Sequence, residues 1–240
     1  MSGGGGDRPA RHVLLTGASS GIGAETARHL VADGHRVSLF ARRAELLAAL
    51  VGELGGLASA WTGDVTRRDD LASGLRAAEL RHGAIDTLVY SAGSARFHSV
   101  EETSPEEWRE LMGANLDGLF HALQLSLPSL LASGRGHVIV VLSVASRQVF
   151  GHSAGYTAAK HAAIGLVDSF RTEVRARGVH VTAVLPGAVD TPLWDAIGGE
   201  WNRAQMMQPE QVARVIRSVL RDRSSGMLEE IRVGPICGAL

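Results

Sequence analysis

Two side chains in the second half of the sequence have the types and spacing for proton transfer. Tyr156 and Lys160 lie four residues apart, so on a helix they share one face. A free tyrosine has a pKa of about 10, and a neighbouring ammonium lowers that pKa because it stabilises the phenolate. A tyrosine tuned towards neutrality gives a proton to a carbonyl oxygen or takes one from an alcohol. Such pairs also occur by chance on many helices, so the pair alone is a weak indication.

A serine and several carboxylates are further candidates for chemistry. Ser143 stands thirteen residues before Tyr156, at the end of a predicted strand, where its hydroxyl would hydrogen-bond the same substrate oxygen and stabilise developing charge. Glu106 and Glu107 follow Ser104 and Pro105, which is the pattern of a capped helix start. We therefore expect the glutamates to cap that helix rather than to act as acid and base.

A glycine-rich segment near the N-terminus is a candidate phosphate site. A predicted strand runs into Thr16-Gly-Ala-Ser-Ser-Gly-Ile-Gly23, and a predicted helix follows. Glycines there let backbone amides approach a phosphate, and the helix N-terminus adds a favourable partial positive charge. We expect Gly17 to allow the tight turn, Gly21 to leave space for a pyrophosphate and Gly23 to let the helix pack on the strand. The spacing G-x-x-x-G-x-G differs from the common G-x-G-x-x-G, and by itself it is weak evidence.

Apolar bursts alternate with helical patterns along the whole chain. The predicted strands are 12–16, 36–41, 57–62, 85–91, 137–143, 179–185 and 228–233. The predicted helices are 21–33, 44–54, 67–81, 154–176 and 209–221, with a further helix that begins at Ser104-Pro105. This alternation predicts one α/β domain over residues 11–240, a doubly wound, Rossmann-type parallel sheet of about seven strands with helices on both faces. Ligands of such folds bind at the carboxyl ends of the strands.

Composition excludes several classes of protein. The chain has 240 residues, 45% of them hydrophobic, and a formal net charge of −1, so we expect no nucleic-acid partner. The longest apolar run, near 138–142, is far too short to cross a membrane. Residues 1–10 are expected to form a flexible Gly-rich leader. One cysteine, Cys237, permits no internal disulfide, which favours the cytoplasm, and scattered histidines without an H-E-x-x-H motif predict no metal site.

Taken together, the motifs resemble the short-chain dehydrogenase/reductase family in its single-domain branch. TGASSGIG, Asp64-Val65, Ala92-Gly93, Asn115, Ser143, Tyr156-Thr-Ala-Ala-Lys160, Pro186-Gly187 and Thr191 occur in the family's order and cover nearly the whole chain. The resemblance implies a catalytic set of Asn115, Ser143, Tyr156 and Lys160. In it Lys160 also holds the nicotinamide ribose and Asn115 anchors a water for proton relay. The expected cofactor-binding residues are Gly17, Ser19, Ser20, Gly21, Ile22, Gly23, Arg42, Arg43, Asp64, Val65, Ala92, Gly93, Tyr156, Lys160, Pro186, Gly187 and Thr191.

The sequence departs from the family at one motif. Tyr90-Ser91 stands where relatives carry two asparagines before Ala92-Gly93. Those asparagines mostly stabilise the centre of the sheet and neighbouring turns. The departure puts local packing in doubt more than the chemistry.

The end of the second predicted strand indicates which nicotinamide cofactor is used. An NAD site places an acidic residue there on the ribose 2′-hydroxyl, and this chain has Ala41 instead. Arg42 would present its guanidinium to a 2′-phosphate, and Arg43 either helps or faces solvent. Ser20 lies where some NADP-binding relatives have a basic residue, which slightly weakens the argument. We expect NADP(H) to be preferred, with NAD(H) possible.

The substrate is expected to meet loops after the fourth, fifth and sixth strands. The segment 188–207 contains Trp194, Trp201, Met206 and Met207 and is long enough to be a mobile lid. These side chains suggest a substrate with hydrophobic bulk, or they merely pack the lid down. Small residues on the predicted helix of Tyr156 permit close helix–helix contact, and relatives pair this helix across a dimer axis, so we expect a homodimer or homotetramer.

The sequence therefore predicts an NADP(H)-dependent oxidoreductase that moves a hydride between nicotinamide and a carbonyl or secondary alcohol, with Tyr156 as general acid/base. Two alternatives stay open, a non-catalytic NADP(H)-binding regulator and an NAD-preferring alcohol dehydrogenase. A nicotinamide-using epimerase or dehydratase is disfavoured because those relatives are longer and carry an added substrate domain.

Overall fold

A computed structural model of the chain describes residues 9–221 and 226–238. The predicted leader falls mostly on residues 1–8, which lie outside the described residues. The strands are β1 His12–Thr16, β2 Arg36–Ala41, β3 Ala58–Thr62, β4 Thr87–Tyr90, β5 His137–Val141, β6 His180–Pro186 and β7 Glu230–Val233. The α-helices are α1 Gly21–Ala32, α2 Ala44–Leu54, α3 Arg68–His82, α4 Pro105–Met112, α5 Gly118–Ala132, α6 Ala154–Arg175, α7 Leu193–Ile197 and α8 Pro209–Arg221.

The seven strands form one parallel sheet in the order β3-β2-β1-β4-β5-β6-β7. The predicted doubly wound, Rossmann-type fold is confirmed. The strand order reverses between β1 and β4, so their connections leave in opposite directions and open a crevice at the carboxyl ends. Thr16 of β1 and Tyr90 of β4 are register partners at that end.

Buried side chains cover both faces of the sheet, which is why its strands are apolar throughout rather than alternating. On one face Leu14 and Leu88 belong to a core with side chains of α3, α5 and α6. On the other face Val13 and Leu15 pack with side chains of α1, α2 and α8. The central strands are therefore held from both sides, and their carboxyl ends form a rigid base for the loops that follow.

Several predicted strands are longer than the observed ones. The fourth and fifth predicted strands, 85–91 and 137–143, shorten to Thr87–Tyr90 and His137–Val141. Beyond β4, Ser91 lines the cavity, and beyond β5 the amide of Leu142 still donates to the Val184 carbonyl of β6 at 2.8 Å. Ser143 caps a short 3-10 turn instead, its hydroxyl accepting a hydrogen bond from the amide of Ala145 at 3.1 Å.

The helix predicted to begin at Ser104 contains an unexpected π turn. Ser104 caps α4 by accepting from the amide of Glu107 at 3.1 Å, as predicted. The reciprocal half of the capping box does not form, because the Glu107 carboxylate bonds His98 at 2.7 Å. Residues Gly113–Asp117 then form a π turn that joins α4 to α5 and contains Asn115. π turns are rare and concentrate at functional sites.

Within residues 9–221 and 226–238, no helix combines the length and the apolar character needed to cross a membrane.

Candidate active site

A cavity of about 680 Å³ lies at the carboxyl ends of the strands, beside the point where the strand order reverses. Most of the predicted site residues line it. They are Gly17, Ser19, Ser20, Gly21, Ile22, Gly23, Arg42, Arg43, Asp64, Val65, Ala92, Gly93, Asn115, Tyr156, Lys160 and Thr191. Three predicted residues do not line it: Ser143, Pro186 and Gly187. The last two are engaged by β7, where Gly187 donates its amide to the Val233 carbonyl at 2.7 Å and Pro186 pairs with Val233.

The glycines of the first loop are required by close contacts. Gly17 has φ of +68°, and a side chain there would begin 2.5 Å from the Ser91 carbonyl oxygen. A Cβ at Gly23 would collide with the carbonyl of Gly17, so this glycine lets α1 pack against the loop as predicted. A Cβ at Gly21 would meet the methyl of Thr191 at 3.0 Å. These glycines therefore let the loop pack closely against Ser91, α1 and Thr191 while it lines the cavity.

The N-terminus of α1 is open to an anion. Its first turn contains no acidic residue, and the Ser20 side chain makes no capping bond to the helix. Unpaired amides at the start of a twelve-residue helix attract negative charge. This end of the cavity has the features of a phosphate site.

Arg43 is folded over the glycine loop. Its guanidinium donates to the Ser19 hydroxyl at 2.8 Å and 3.1 Å and to the Ser20 hydroxyl at 2.6 Å. Arg42 lines the same cavity and is exposed. The sequence left open whether Arg43 helps or faces solvent, and the structure places its charge against the loop. The two serines hold the guanidinium in one position.

Ser143 lies beside Tyr156, which lines the other end of the cavity. The Ser143 hydroxyl lowers the pKa of Tyr156, while burial has the larger effect and raises that pKa above its ordinary value. The expectation that Lys160 tunes the phenol towards neutrality is therefore not met by the protein alone. The ammonium lies 5.6 Å from the centre of the tyrosine ring, and desolvation of the phenolate outweighs its attraction.

Lys160 and Asn115 converge on Gly93. A side chain at Gly93 would begin 2.8 Å from the Asn115 Oδ1 and 3.6 Å from the Lys160 Nζ, so only glycine leaves these groups room. Asn115 donates through Nδ2 to the carbonyls of Ser94 and Leu111, both at 2.9 Å. Its Oδ1 is buried without a partner, which leaves an acceptor free for a bound molecule.

Burial lowers the pKa of Lys160 to about 8, since its surroundings penalise the ammonium. Lys160 is also the only lysine in the chain, and every other position counted as Lys or Arg is an arginine. The use of lysine at this one position was a signal in the sequence that the predictions did not use. Lysine tolerates burial and a shifted pKa, whereas arginine remains charged.

The Tyr90-Ser91 departure has a structural explanation. Tyr90 is fully buried and donates its hydroxyl to the carbonyl of Ala114 at 2.7 Å. The Ser91 amide donates to the Thr16 hydroxyl at 3.3 Å. The expected gap in local packing is therefore filled by different groups.

Four further lining residues, Arg96, Pro192, Leu193 and Ala196, belong to loops that were expected to meet the substrate. The lining residues that were not predicted as site residues are Ala41, Gly63, Thr66, Ser91, Ser94, Arg109, Glu110, Gly113, Ala114, Val141 and Leu142. Most of these are next to a predicted residue in the sequence. Arg109 and Glu110 reach the cavity from α4 and have no local sequence signal. Among the described residues, no cluster of three or more His, Cys, Asp or Glu side chains is arranged to hold a metal ion.

Comparison with known proteins agrees with the geometry. A family model for the short chain dehydrogenases matches residues 11–200. The chain is 35% identical over 234 residues to glycine betaine reductase of Emericella nidulans, covering 93% of this chain but only 18% of that much longer protein. It is 32% identical to cyclohexanol dehydrogenase of Acinetobacter sp., covering 89% of this chain and 88% of that one.

Solved structures show the same likeness. An alcohol dehydrogenase of Thermococcus sibiricus, in complex with 5-hydroxy-NADP, superposes with a TM-score of 0.87 at 29% identity and covers 96% of this chain and 99% of that chain. The family model, the related sequences and the shared fold all agree, and the chain belongs to the short-chain dehydrogenase/reductase family.

Proposed function

We propose that this oxidoreductase uses NADP(H) to transfer a hydride between nicotinamide and a carbonyl or secondary alcohol, with Tyr156 as the general acid/base. The observation that carries the proposal is a cavity that joins the glycine loop to Tyr156, Lys160 and Asn115, with the Ser143 hydroxyl close enough to Tyr156 to lower its pKa. The alcohol dehydrogenase in complex with 5-hydroxy-NADP supports the cofactor class.

The residues present fit a nicotinamide dinucleotide. The loop of Gly17 and the open N-terminus of α1 would hold the pyrophosphate. Asp64 and Val65 line the wall on the adenine side expected from the family. The unpartnered Oδ1 of Asn115 and the ammonium of Lys160 supply an acceptor and donors at the far end. When bound, the dinucleotide gives or takes the hydride, and its oxidised ring adds a positive charge to the cavity.

The protein's own groups then move and stabilise a proton. In reduction, the Tyr156 hydroxyl gives its proton to the carbonyl oxygen as the carbonyl carbon gains hydride, and in oxidation the phenolate takes that proton back. The Ser143 hydroxyl donates to the same oxygen and stabilises its developing negative charge. Since burial raises the pKa of Tyr156 in the protein alone, a further positive charge is required to form the phenolate near neutral pH. Lys160 contributes the part of that charge that the protein supplies.

The preference for NADP(H) over NAD(H) rests on the residues after β2. Ala41 offers no carboxylate for a ribose 2′-hydroxyl, and Arg42 and Arg43 place two positive charges at that edge of the cavity. Ser19 and Ser20 hold the Arg43 guanidinium in place, which lowers the entropy lost on binding a phosphate. An NAD-preferring alcohol dehydrogenase is the alternative that this arrangement disfavours.

A non-catalytic regulator that binds NADP(H) is the other alternative. It would need the glycine loop, the arginines and Lys160, which is expected to hold the nicotinamide ribose, but it would not need a serine placed beside Tyr156. We therefore favour the enzyme.

Replacing Tyr156 by Phe tests the proposal. NADPH oxidation with a carbonyl substrate is followed at 340 nm, and NADPH binding is followed by its fluorescence. We expect Tyr156→Phe to lose at least a thousandfold in kcat while the Kd for NADPH changes less than threefold. Retained turnover would remove Tyr156 from its role, and lost NADPH binding would contradict the assignment of the cofactor site to the glycine loop.

Assembly and location are proposed on separate grounds. The outward face of α6 exposes Ala162 and Gly165, small residues that permit a second helix to approach closely, and Phe120 of α5 is 47% exposed. We propose a homodimer or homotetramer through these helices, which light scattering with absolute mass would test. A monodisperse monomer would contradict it. The single cysteine favours a reducing compartment such as the cytoplasm.

A further inference from the structure

The segment after β6 is a closed loop whose two ends are paired. Val189 and Met207 form an isolated parallel bridge. The amide of Asp190 donates to the Met207 carbonyl at 2.8 Å, and the amide of Met207 donates to the Ala188 carbonyl at 3.0 Å. Met206 and Met207 are buried. The two methionines therefore anchor the segment in the core, and residues 190–205, here termed the lid, project from that anchor.

Arg203 fixes the lid from within. Its guanidinium bonds Asp190 at 2.5 Å, Asp195 at 2.5 Å and the carbonyl of Thr191 at 2.9 Å. These three partners lie at the start of the lid and on α7, so one side chain ties both halves together. The lid thus presents a defined inner face even though most of its residues are exposed.

That inner face is aromatic. Trp194 donates its indole N–H to the Val189 carbonyl at 2.9 Å, and Trp201 donates to the Gly198 carbonyl at 2.5 Å. The two indole rings lie 4.8 Å apart. Because both N–H groups are already bonded to backbone, the rings offer apolar surface to a neighbour.

A third ring connects the lid to the catalytic tyrosine. Phe97, from the loop after β4, contacts Tyr156, Trp194 and Trp201 edge to face, each at 5.8 Å between centroids. Tyr156 lines the cavity, but Phe97 and the two tryptophans do not. Phe97 therefore covers a part of Tyr156 that the cavity does not reach, and the two tryptophans pack against Phe97 from the lid. Leu193 and Ala196 of the lid line the cavity, so the rings lie next to the space that a substrate at Tyr156 would occupy.

Two arginines near the cluster are already paired. Arg96 lies 3.7 Å from Glu110 and donates to the Ala95 carbonyl, and Arg203 is occupied by the lid. Trp201 is 39% exposed, so its ring is only partly covered in this arrangement. Two glycines with positive φ, Gly198 at +76° and Gly199 at +84°, separate α7 from Trp201. Glycine adopts such backbone angles without strain, so the chain turns here and brings Trp201 back against Trp194.

We propose that Phe97, Trp194 and Trp201 form the substrate-recognition surface, and that the substrate carries a flat apolar ring next to its carbonyl or carbinol carbon. The inference rests on the proposed function and deepens it. The three side chains now contact one another edge to face. A ring on the substrate would make such contacts in their place, since aromatic pairs favour distances of about 4.5–7 Å between ring centroids. A flexible aliphatic chain loses more conformational entropy against the same surface.

Three methyl ketones of eight carbons test the substrate class: acetophenone, cyclohexyl methyl ketone and 2-octanone. They share the reacting group and carbon count and differ in the shape of one substituent. We expect kcat/KM with NADPH to be at least tenfold higher for acetophenone than for 2-octanone, with cyclohexyl methyl ketone between them. Equal kcat/KM for the three ketones would overturn the proposal while leaving the oxidoreductase function in place.

Variants of the rings locate the effect. Phe97→Leu and Trp201→Leu are expected to lower kcat/KM for acetophenone about tenfold and that for 2-octanone less than threefold. Glu200→Gln, on the same lid with an exposed side chain, is the matched control and should leave both values unchanged. Equal losses for the two ketones in the ring variants would overturn the proposal.

A binding measurement separates failure of the substrate class from failure of the function. Quenching of tryptophan fluorescence by acetophenone and by 2-octanone is titrated in the wild type with NADP⁺ bound, and again in Trp201→Leu. Tighter binding of acetophenone that Trp201→Leu removes, without turnover of any ketone, would support the surface and contradict the oxidoreductase proposal. Equal binding of the two ketones would overturn the surface.

Discussion

The hydroxyl of Tyr90, at the end of β4, donates a 2.7 Å hydrogen bond to the carbonyl of Ala114 in the π turn. Ala114 directly precedes Asn115, whose buried Oδ1 faces the position of Gly93. Burial raises the pKa of Tyr90 far above its ordinary value, so this phenol remains a donor at every accessible pH. The sheet thus holds the turn that carries a predicted catalytic residue.

Removing that hydroxyl should affect the turn more than the core. Tyr90→Phe keeps the buried ring and leaves the Ala114 carbonyl without this donor, at a cost of about 1–2 kcal/mol in the free energy of unfolding. We expect kcat for carbonyl reduction to fall about fivefold or more, with the Kd for NADPH within twofold, because Asn115 shifts and the glycine loop does not. Unfolding in urea and steady-state kinetics measure the two effects. A variant that loses stability but keeps wild-type kcat and KM would show that the bond is only structural.

The two arginines after β2 should determine the choice of cofactor. We expect Arg42→Ala and Arg43→Ala each to raise the KM for NADPH tenfold or more and that for NADH less than threefold, because a charge-assisted bond to a phosphate is worth about 1.5–3 kcal/mol. Arg68→Ala is the control, since Arg68 bonds Gln124 on α5 and does not line the cavity. Equal losses with both cofactors would contradict a 2′-phosphate site.

Much of the fold follows from local signals in the sequence. Apolar runs bounded by glycines located all seven strands, and the strand-to-helix glycine loop located the carboxyl edge where the cavity lies. The ends of strands were less predictable, since buried Leu142 continues the apolar pattern of β5 although the strand ends at Val141. An apolar pattern indicates that residues are buried, and buried residues continue beyond the last hydrogen bond between the strands.

The sequence predicted which residues form the site but not how their pKa values shift. Motif spacing placed Tyr156, Lys160 and Asn115 at one cavity, yet the direction of the pKa shift of Tyr156 depends on how deeply its hydroxyl is buried. The π turn at Asn115 had no signal, because its support comes from Tyr90, 24 residues away in the sequence. Contacts of this kind require the tertiary structure.

A buried histidine should make the fold sensitive to acid. His137 contacts the Thr182 hydroxyl through Nε2 at 3.0 Å, and that hydroxyl donates to the Leu228 carbonyl at 2.7 Å, so Nε2 is the donor in the first bond. Burial, with smaller effects of Arg11 and His180, lowers the pKa of His137 to about 3. In the unfolded chain the imidazole binds a proton near pH 6.5, whereas in the folded protein it does so only near pH 3. The stability that depends on a neutral His137 is therefore complete above pH 6.5 and is lost as the pH falls towards 3.

Below pH 6 this one group should lower the free energy of unfolding by about 1.4 kcal/mol for each pH unit. His137→Gln does not titrate, so its stability should fall less between pH 6.5 and 4.5 than that of the wild type. His29→Gln, a half-exposed position of α1, is the control and should keep the wild-type slope. Urea unfolding at each pH measures the difference, and parallel curves for wild type and His137→Gln would exclude His137 as the cause.

The buried ammonium of Lys160 should lower the free energy of unfolding, although the reaction needs its charge. Burial lowers its pKa to about 8, so below pH 8 the folded protein carries a desolvated ammonium that the unfolded chain keeps in water. Lys160→Met fills the same space without charge, and we expect it to raise the free energy of unfolding at pH 7 by about 1–3 kcal/mol, which is several degrees in Tm. The gain should shrink between pH 8 and 10.5, where the wild type gains stability as the folded lysine loses its proton before the unfolded one does.

Because Lys160 is the only lysine, its pKa can be measured directly. Selective ¹³C labelling of lysine gives one side-chain Cε signal, and its shift against pH should titrate near 8 in the ligand-free protein instead of near the unperturbed value of about 10.4. Lys160→Met should also abolish turnover, and the two results together would show that a charge needed for the reaction opposes folding. A titration near 10.4, or a variant less stable than the wild type at pH 7, would show instead that the ammonium is well solvated or paired in the native protein.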